Sequence, residues 1–462
     1  MSSKPASAKP DLLNDEIQPT LVRMTLPMML GIVSLMLFNL ADLYFVGQLG
    51  TDQLAALGFT FPVTFSVTSL AIGLGIGTSA TLARLIGAGQ RDKASSLSSD
   101  NLLSTACLTL LIAFIVSLLI DPLFRLMGAS DSLLPHIQTY MSVWLWGAVF
   151  MVLNMVGNSS MRASGDTRTP AKIMAFSSVL NLLLDPLLIF GWGPVPALGV
   201  KGAALASGLA WGITFLIVLH ILYHRRGLLV LQPLLLSRIW QHWRSVMKIG
   251  LPAALSNIMT PVANGVLTAI VASYGAEAVA AFGVGNRLES LSLLACLALS
   301  MTLPPFVSQN FGAGQTARVS RAYYISVRFA LIWQGLIYLG LCLFSDQVGA
   351  LFSDNPEVQR WIGIWILIVP VGFGFQAATF LTASSFNALH QPLRAMRISI
   401  TRLFVFYVPL GWTGSYLFGL QGMFGGLVIA NALTAATAWF WMRRHLMRLQ
   451  SSNQAETEKE PS

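Results

Sequence analysis

Apolar residues come in continuous blocks of about 20, broken by short polar stretches, along nearly the whole chain. The pattern predicts twelve helices, at 24–47, 56–83, 101–121, 138–161, 171–191, 200–223, 248–273, 279–307, 321–344, 360–387, 396–418 and 422–443. The blocks do not alternate over about 10 residues as the strands of a membrane barrel do, so only helices remain. The fold class is an all-α integral membrane protein.

The 462 residues are 55% hydrophobic and 10% charged, with a formal net charge of +9. The positive charge is distributed by side. Arg84, Arg91 and Lys93 follow helix 2, Arg162, Arg168 and Lys172 follow helix 4, and Arg225, Arg226, Arg238, Arg244 and Lys248 follow helix 6. Arg318, Arg321 and Arg328, then Arg394, Arg397 and Arg402, then Arg443, Arg444 and Arg448 continue the series, while the other connections hold chiefly Arg125 and Lys201. The positive-inside rule places these connections and both termini in the cytoplasm. It also accounts for the basic character without nucleic acid. Residues 1–20 are polar and carry no cleavable-signal pattern, 224–247 form a basic cytoplasmic linker, and 446–462 read as a disordered cytoplasmic tail.

A constant shift of 225 residues superposes the halves: Leu26-Pro27 falls on Leu251-Pro252, Gly87-Ala88-Gly89-Gln90 on Gly312-Ala313-Gly314-Gln315, and Ser159-Ser160 on Ser384-Ser385. The shift spans six helices, so the halves have the same topology and form two pseudo-symmetric six-helix lobes around a central cavity, one at 21–223 and one at 248–445. Rocking of such lobes alternates access to a site between them.

Charge breaks the symmetry. Among the acids only Asp42, Asp185 and Glu289 lie well inside a predicted span, at an expected cost of about 2.5–3.5 kcal/mol each near a helix centre. Asp185 stands in NLLLDPLLIF, with Asn181 one turn earlier on the same face; Asn39 shares a face with Asp42, and Ser207 of helix 6 reaches the same depth. In the second half, where the repeat is three residues shorter after position 388, Asp42 falls on Leu267, Asn181 on Leu403 and Asp185 near Tyr407. Two carboxylates with amide and hydroxyl oxygens suit a proton or a sodium ion at Asp42, Asn181 and Asp185. Acids snorkelling to the outer surface are the other reading. Pro27 and Pro186 place a missing donor in each acid-bearing helix, as a hinge or as a static kink. Glu289, beside Arg287, reads as half of a second charge pair.

MRASGDTRTP at 161–170 followed by NLLLDPLLIFG, with GVKGAALAS opening helix 6, resembles the multidrug and toxic compound extrusion (MATE) family over about residues 21–445. NLADLYFVGQLG and GVGNRLESL resemble its DinF-like branch. The resemblance implies a bacterial inner-membrane antiporter, without cofactor, that expels amphipathic, often cationic drugs in exchange for H+ or Na+. It maps the family's amino-terminal-lobe cation site onto Asp42, Asn181 and Asp185, with Ser207 as the hydroxyl member, and the bent first helix onto Pro27. Helices 7 and 10 carry no acid, which departs from the NorM-like branch. In GDTRTP, Thr169 is expected to cap helix 5 and Pro170 to open it.

Cargo contacts are expected from Met28, Met36, Met151, Asn154 and Met155 in the first lobe and Asn257, Met259 and Asn264 in the second, because adaptable apolar surface with a few amides suits varied amphipaths. A lipid or lipid-linked precursor flippase is the alternative function. The six histidines form no nucleophile–base or metal arrangement, so no enzyme is expected. The partners are small molecules and the surrounding lipid, and the chain is expected to act as a monomer.

Overall fold

The computed structural model describes residues 10–457, with side chains to 451. Two compact units emerge: residues 26–254 form the body of the first, and residues 12–25 with 255 onward form the second.

The first repeat holds α1 (Ile17–Gly47), α2 (Thr51–Gly87), α3 (Arg91–Leu118), α4 (Ile120–Leu126), α5 (Leu134–Ala163), α6 (Arg168–Ile189) and α7 (Val200–His220), the last extended by a π-helical turn, Ile221–Arg225. The second repeat holds α8 (Leu236–Ala272), α9 (Ala276–Ser292), α10 (Leu294–Gly312), α11 (Thr316–Leu343), α12 (Ser345–Phe352), α13 (Pro356–Ile368), α14 (Phe373–Ala388), α15 (Pro392–Ile400) and α16 (Val408–Thr457), with a π-helical stretch, Thr401–Tyr407, joining the last two. The bounds 51–87 and 91–118 recur 225 residues later as 276–312 and 316–343, so the repeat extends to the helix ends.

Among the described residues, twelve stretches are long and apolar enough to span a membrane once the helix merged at Phe418 and Gly419 is divided. Nine are unbroken or lightly interrupted helices. The tenth is α9 and α10, bent by 44° at Leu293. The last two are contained in 392–451, where Phe418 and Gly419 leave helical geometry, Gly419 with φ +65°. An unbroken helix of that length would run to about 90 Å, three times the hydrocarbon core.

Both unit boundaries fall inside a helix. One lies between Thr25 and Leu26 in α1, beside Pro27, and the other between Ala254 and Leu255 in α8, beside Pro252. Those are the Leu-Pro pairs that the repeat superposes. The early segment is fastened within the second unit: Thr25 Oγ1 meets Thr302 Oγ1 at 2.8 Å, Asn310 Nδ2 donates to the Leu12 carbonyl at 3.0 Å, and Arg318 donates to the Asp15 carbonyl at 2.7 Å.

The early part of α8 is fastened within the first unit. It crosses α2 through small residues: a Cβ at Gly73 would sit 2.4 Å from the Gly250 carbonyl oxygen, and one at Gly77 would sit 2.4 Å from that of Val246. Close approach of backbones through small residues four apart is how helices associate where lipid removes the hydrophobic drive.

Helix ends differ from expectation most in four places. α3 begins at Arg91 rather than 101, and α8 at Leu236 rather than 248. The polar ends persist as helix because they satisfy each other: buried Asp100 accepts from Arg238 Nε at 2.9 Å and pairs with His242 Nδ1 at 2.7 Å. The stretch before α8 is held to α3 by Val230 N–H on Ser99 Oγ (2.9 Å) and Gln232 on Ser96 Oγ (2.9 Å). At the other end, the expected tail from 446 continues α16 to Thr457, with Leu446 buried and Gln450 bonded to Ser320 Oγ; 458–462 lie outside the described residues. The expected polar segment 1–20 likewise includes buried Leu12 and the start of α1, while 1–9 lie outside the described residues.

Candidate functional site

The end of α6 is built by its own return loop. Leu198 and Gly199 donate their N–H groups to the carbonyls of Leu188 and Ile189 at 3.0 Å each, and Gly202, which has no room for a Cβ against the Leu188 carbonyl, lets α7 start directly on α6. That approach delivers Ser207 to the face of α6 that carries Asn181 and Asp185. On the other side α6 meets α1, where Gly31 packs on the Ala171 backbone.

The result is a sealed polar group. Asp185 is fully buried, Asn181 2% exposed and Ser207 5% exposed. With its nitrogen toward Asp185, the Asn181 amide donates to both carboxylate oxygens at 2.9 and 2.7 Å and accepts from the Ser207 N–H at 3.2 Å and hydroxyl at 3.0 Å. That orientation satisfies every group around a charged Asp185. The opposite orientation sets the amide oxygen against the carboxylate and the amide nitrogen against the Ser207 N–H, so it leaves both ends unsatisfied.

Asp42 on α1 is half-buried, and its Oδ1 is enclosed with no hydrogen-bond partner among the described residues. It lies within electrostatic reach of Asp185, and both act on the buried hydroxyl-bearing ring of Tyr140 on α5. The arrangement therefore holds two carboxyls, an amide and a hydroxyl, with one carboxyl oxygen still lacking a partner. It can exchange a proton or take a small hard cation.

Tyr140 escapes sequence reasoning because a tyrosine in an apolar helix reads as packing. Asn39 is exposed and makes no hydrogen bond to this group. Pro186 lies three residues before the end of α6, and Pro27 lies inside α1.

The expected cargo residues divide. Met28 is fully buried, and Asn154 is spent on α7, donating to the Trp211 carbonyl at 2.7 Å and Thr214 Oγ1 at 3.0 Å, so neither faces open space as expected. Met36 and Asn257 are half-buried, Met151, Met155 and Met259 are half-buried against their units' cores, and Asn264 is exposed.

Glu289 makes no ion pair with Arg287, which is exposed. Its partner is Gln376 of α14, which donates at 2.7 Å, and its field acts on Arg402 and Tyr407. Arg402 in turn is no surface residue: it sits ten residues, about 15 Å, into its span, 6% exposed.

In GDTRTP the cap of α6 comes from Asp166, whose Oδ1 accepts from the Thr169 N–H at 3.1 Å, and the helix starts at Arg168 rather than Pro170. Asp166 also pairs with Arg226 beyond α7. The segment is a fastening between chain turns.

A family profile described as MatE matches residues 27–187 and 252–413, once in each repeat. A protein named FAD transporter from Shewanella oneidensis is 41% identical over 433 residues, 94% of this chain and 96% of its own. A probable multidrug resistance protein NorM from Thermotoga maritima is 25% identical over 418 residues, 89% of each chain. Among solved structures, the Vibrio cholerae MATE transporter VcmN in the bent form is 35% identical, with a TM-score of 0.88 over 93% of this chain and 97% of its own. Matches of this extent, falling on both repeats of a two-lobe helical fold, leave no role for enzyme chemistry. The chain belongs to the MATE family of membrane transporters.

Proposed function

We propose that the protein is a cation-coupled antiporter of the bacterial inner membrane, with both termini cytoplasmic, working as a monomer by alternating access. Its coupling ion, a proton before sodium, is taken at Asp185 and Asp42. The observation that carries this reading is the sealed Asp185–Asn181–Ser207 chain beside an enclosed Asp42 oxygen without a partner. A buried carboxylate beside a second one is costly unless a proton or cation is shared, so ion arrival and conformational preference are coupled. Pro27, in the helix that carries Asp42 and beside the unit boundary, is the hinge candidate; Pro186 near the end of α6 is the second.

The cargo is an amphipathic organic molecule exported against its gradient. Drugs are one reading, supported by relatives named for multidrug resistance at 24–25% identity. A dinucleotide of the FAD type is the reading we favour, because the relative named FAD transporter is far more similar, at 41%. FAD is itself an amphipath, with two flat ring systems joined by an anionic pyrophosphate.

Proteoliposomes separate these statements. Counterflow of FAD and of ethidium, driven by ΔpH or by ΔNa+, is expected to respond to ΔpH and to vanish in Asp185→Asn. Gradient-driven transport that survives Asp185→Asn and Asp42→Asn would place coupling elsewhere.

A further inference from the structure

The second unit has no acids where the first has Asp42 and Asp185, but it holds a buried arginine, Arg402, that makes no hydrogen bond among the described residues. The Arg402 guanidinium carries five N–H donors and none of them reaches a described acceptor. Nor does any ion pair of 4.0 Å or less join it to a described acid. It is held only by aromatic faces, with Phe380 at 4.8 Å and Tyr407 at 5.6 Å from its carbon. Tyr407 occupies the place that the repeat gives to Asp185.

A guanidinium this deep in a membrane protein, without acceptors, carries a desolvation cost that two ring faces offset only in part. Glu289 lies near enough to act on it electrostatically but is engaged by Gln376. Access is also present. Nε is sealed and without a partner, while the residue as a whole keeps 6% of its surface exposed. The π-helical stretch Thr401–Tyr407 that bears the arginine is a backbone form that costs stability and recurs at functional sites.

We infer that Arg402 is an anion receptor in the second unit, taking a phosphate group of the cargo, or of a lipid headgroup, on its terminal nitrogens, with Phe380 and Tyr407 fixing the plane of the fork. Planar bidentate recognition of phosphate is what an arginine offers and a lysine does not. The first unit then handles the cation and the second the anion. The inference deepens the dinucleotide reading above and rests on it for the identity of the cargo, while the receptor itself rests on the geometry of Arg402.

The test uses the full chain in nanodiscs at fixed ionic strength, with sodium pyrophosphate as the probe. Wild type is expected to bind it, Arg402→Gln to bind about 10- to 100-fold more weakly, the effect of losing charge-assisted hydrogen bonds, and Arg402→Lys to fall between. Glu289→Gln, which removes a neighbouring negative charge, is expected to bind more tightly. Should Arg402→Gln fail to fold, the lysine variant decides alone. No binding by wild type, equal affinity in wild type and the folded Arg402 variants, or weaker binding in Glu289→Gln overturns the inference. Discs of phosphatidylglycerol against phosphatidylcholine distinguish the sources: competition by the anionic lipid assigns the headgroup, and its absence assigns a soluble phosphate. The cargo reading fails separately, if pyrophosphate binds through Arg402 but FAD is not transported.

Discussion

Asn181 and Asp185 stand one turn apart on α6, and the amide of the first reaches both carboxylate oxygens of the second, at 2.9 and 2.7 Å. Removing that amide takes two donors from the charged acid. Asn181→Ala is therefore expected to make the site hold its proton more tightly, so that the profile of ΔpH-driven exchange against pH moves alkaline by about 1 unit, at 1.4 kcal/mol per unit for bonds to a charged group. Stopped-flow measurement of exchange across pH 5 to 9 checks this; an unmoved profile would mean that the amide does not serve the acid.

The Asp100 carboxylate, 4% exposed at its side chain, is held by Arg238 and His242 from the early part of α8. Arg238→Ala leaves a buried charge with one partner and is expected to cost about 1–3 kcal/mol. Asp100→Asn made together with it should recover part of that loss. Thermal unfolding of the three variants forms the cycle, and strictly additive losses would show the contact to be energetically idle.

At Gly77 a methyl group has no place to go, since the Val246 carbonyl oxygen already occupies it at 2.4 Å. Gly77→Ala is expected to push α2 and α8 apart at a cost of about 1–3 kcal/mol, and Gly58→Ala, which meets nothing, to be neutral. Equal melting temperatures for both variants would contradict the close crossing.

Asp166 has two duties, capping α6 through the Thr169 N–H and pairing with Arg226. Asp166→Asn keeps the cap and loses the charge, whereas Asp166→Ala loses both. The alanine variant is expected to be less stable by about 1–2 kcal/mol than the asparagine variant. If the two melt together, the cap contributes nothing.

Much of this was legible in the chain. Twelve apolar blocks and a 225-residue repeat are periodic signals, and the helix bounds follow them closely. Asp42, Asn181, Asp185 and Ser207 stood out because polar groups in an apolar helix are costly, and three of the four bond directly. What stayed hidden depended on partners distant in sequence. Asp100 and Arg238 keep α3 and α8 helical beyond their apolar blocks, Tyr140 gains meaning only from the acids facing it, and Arg402 reads as one more basic residue after Arg394 and Arg397 until the fold buries it. Met28 is buried, and a methionine that packs in a core and one that meets a ligand look alike in sequence.

The two boundaries inside α1 and α8 set an order of manufacture. Residues 12–25 leave the ribosome early but belong with residues from 255 onward, so they must wait through the synthesis of the whole first repeat. The first unit in turn cannot close until 236–254 has been made. Neither half of the chain is a finished product by itself: a cut in the connection before α8 would yield two fragments, each missing a segment that only the other supplies, and folding would become an assembly reaction.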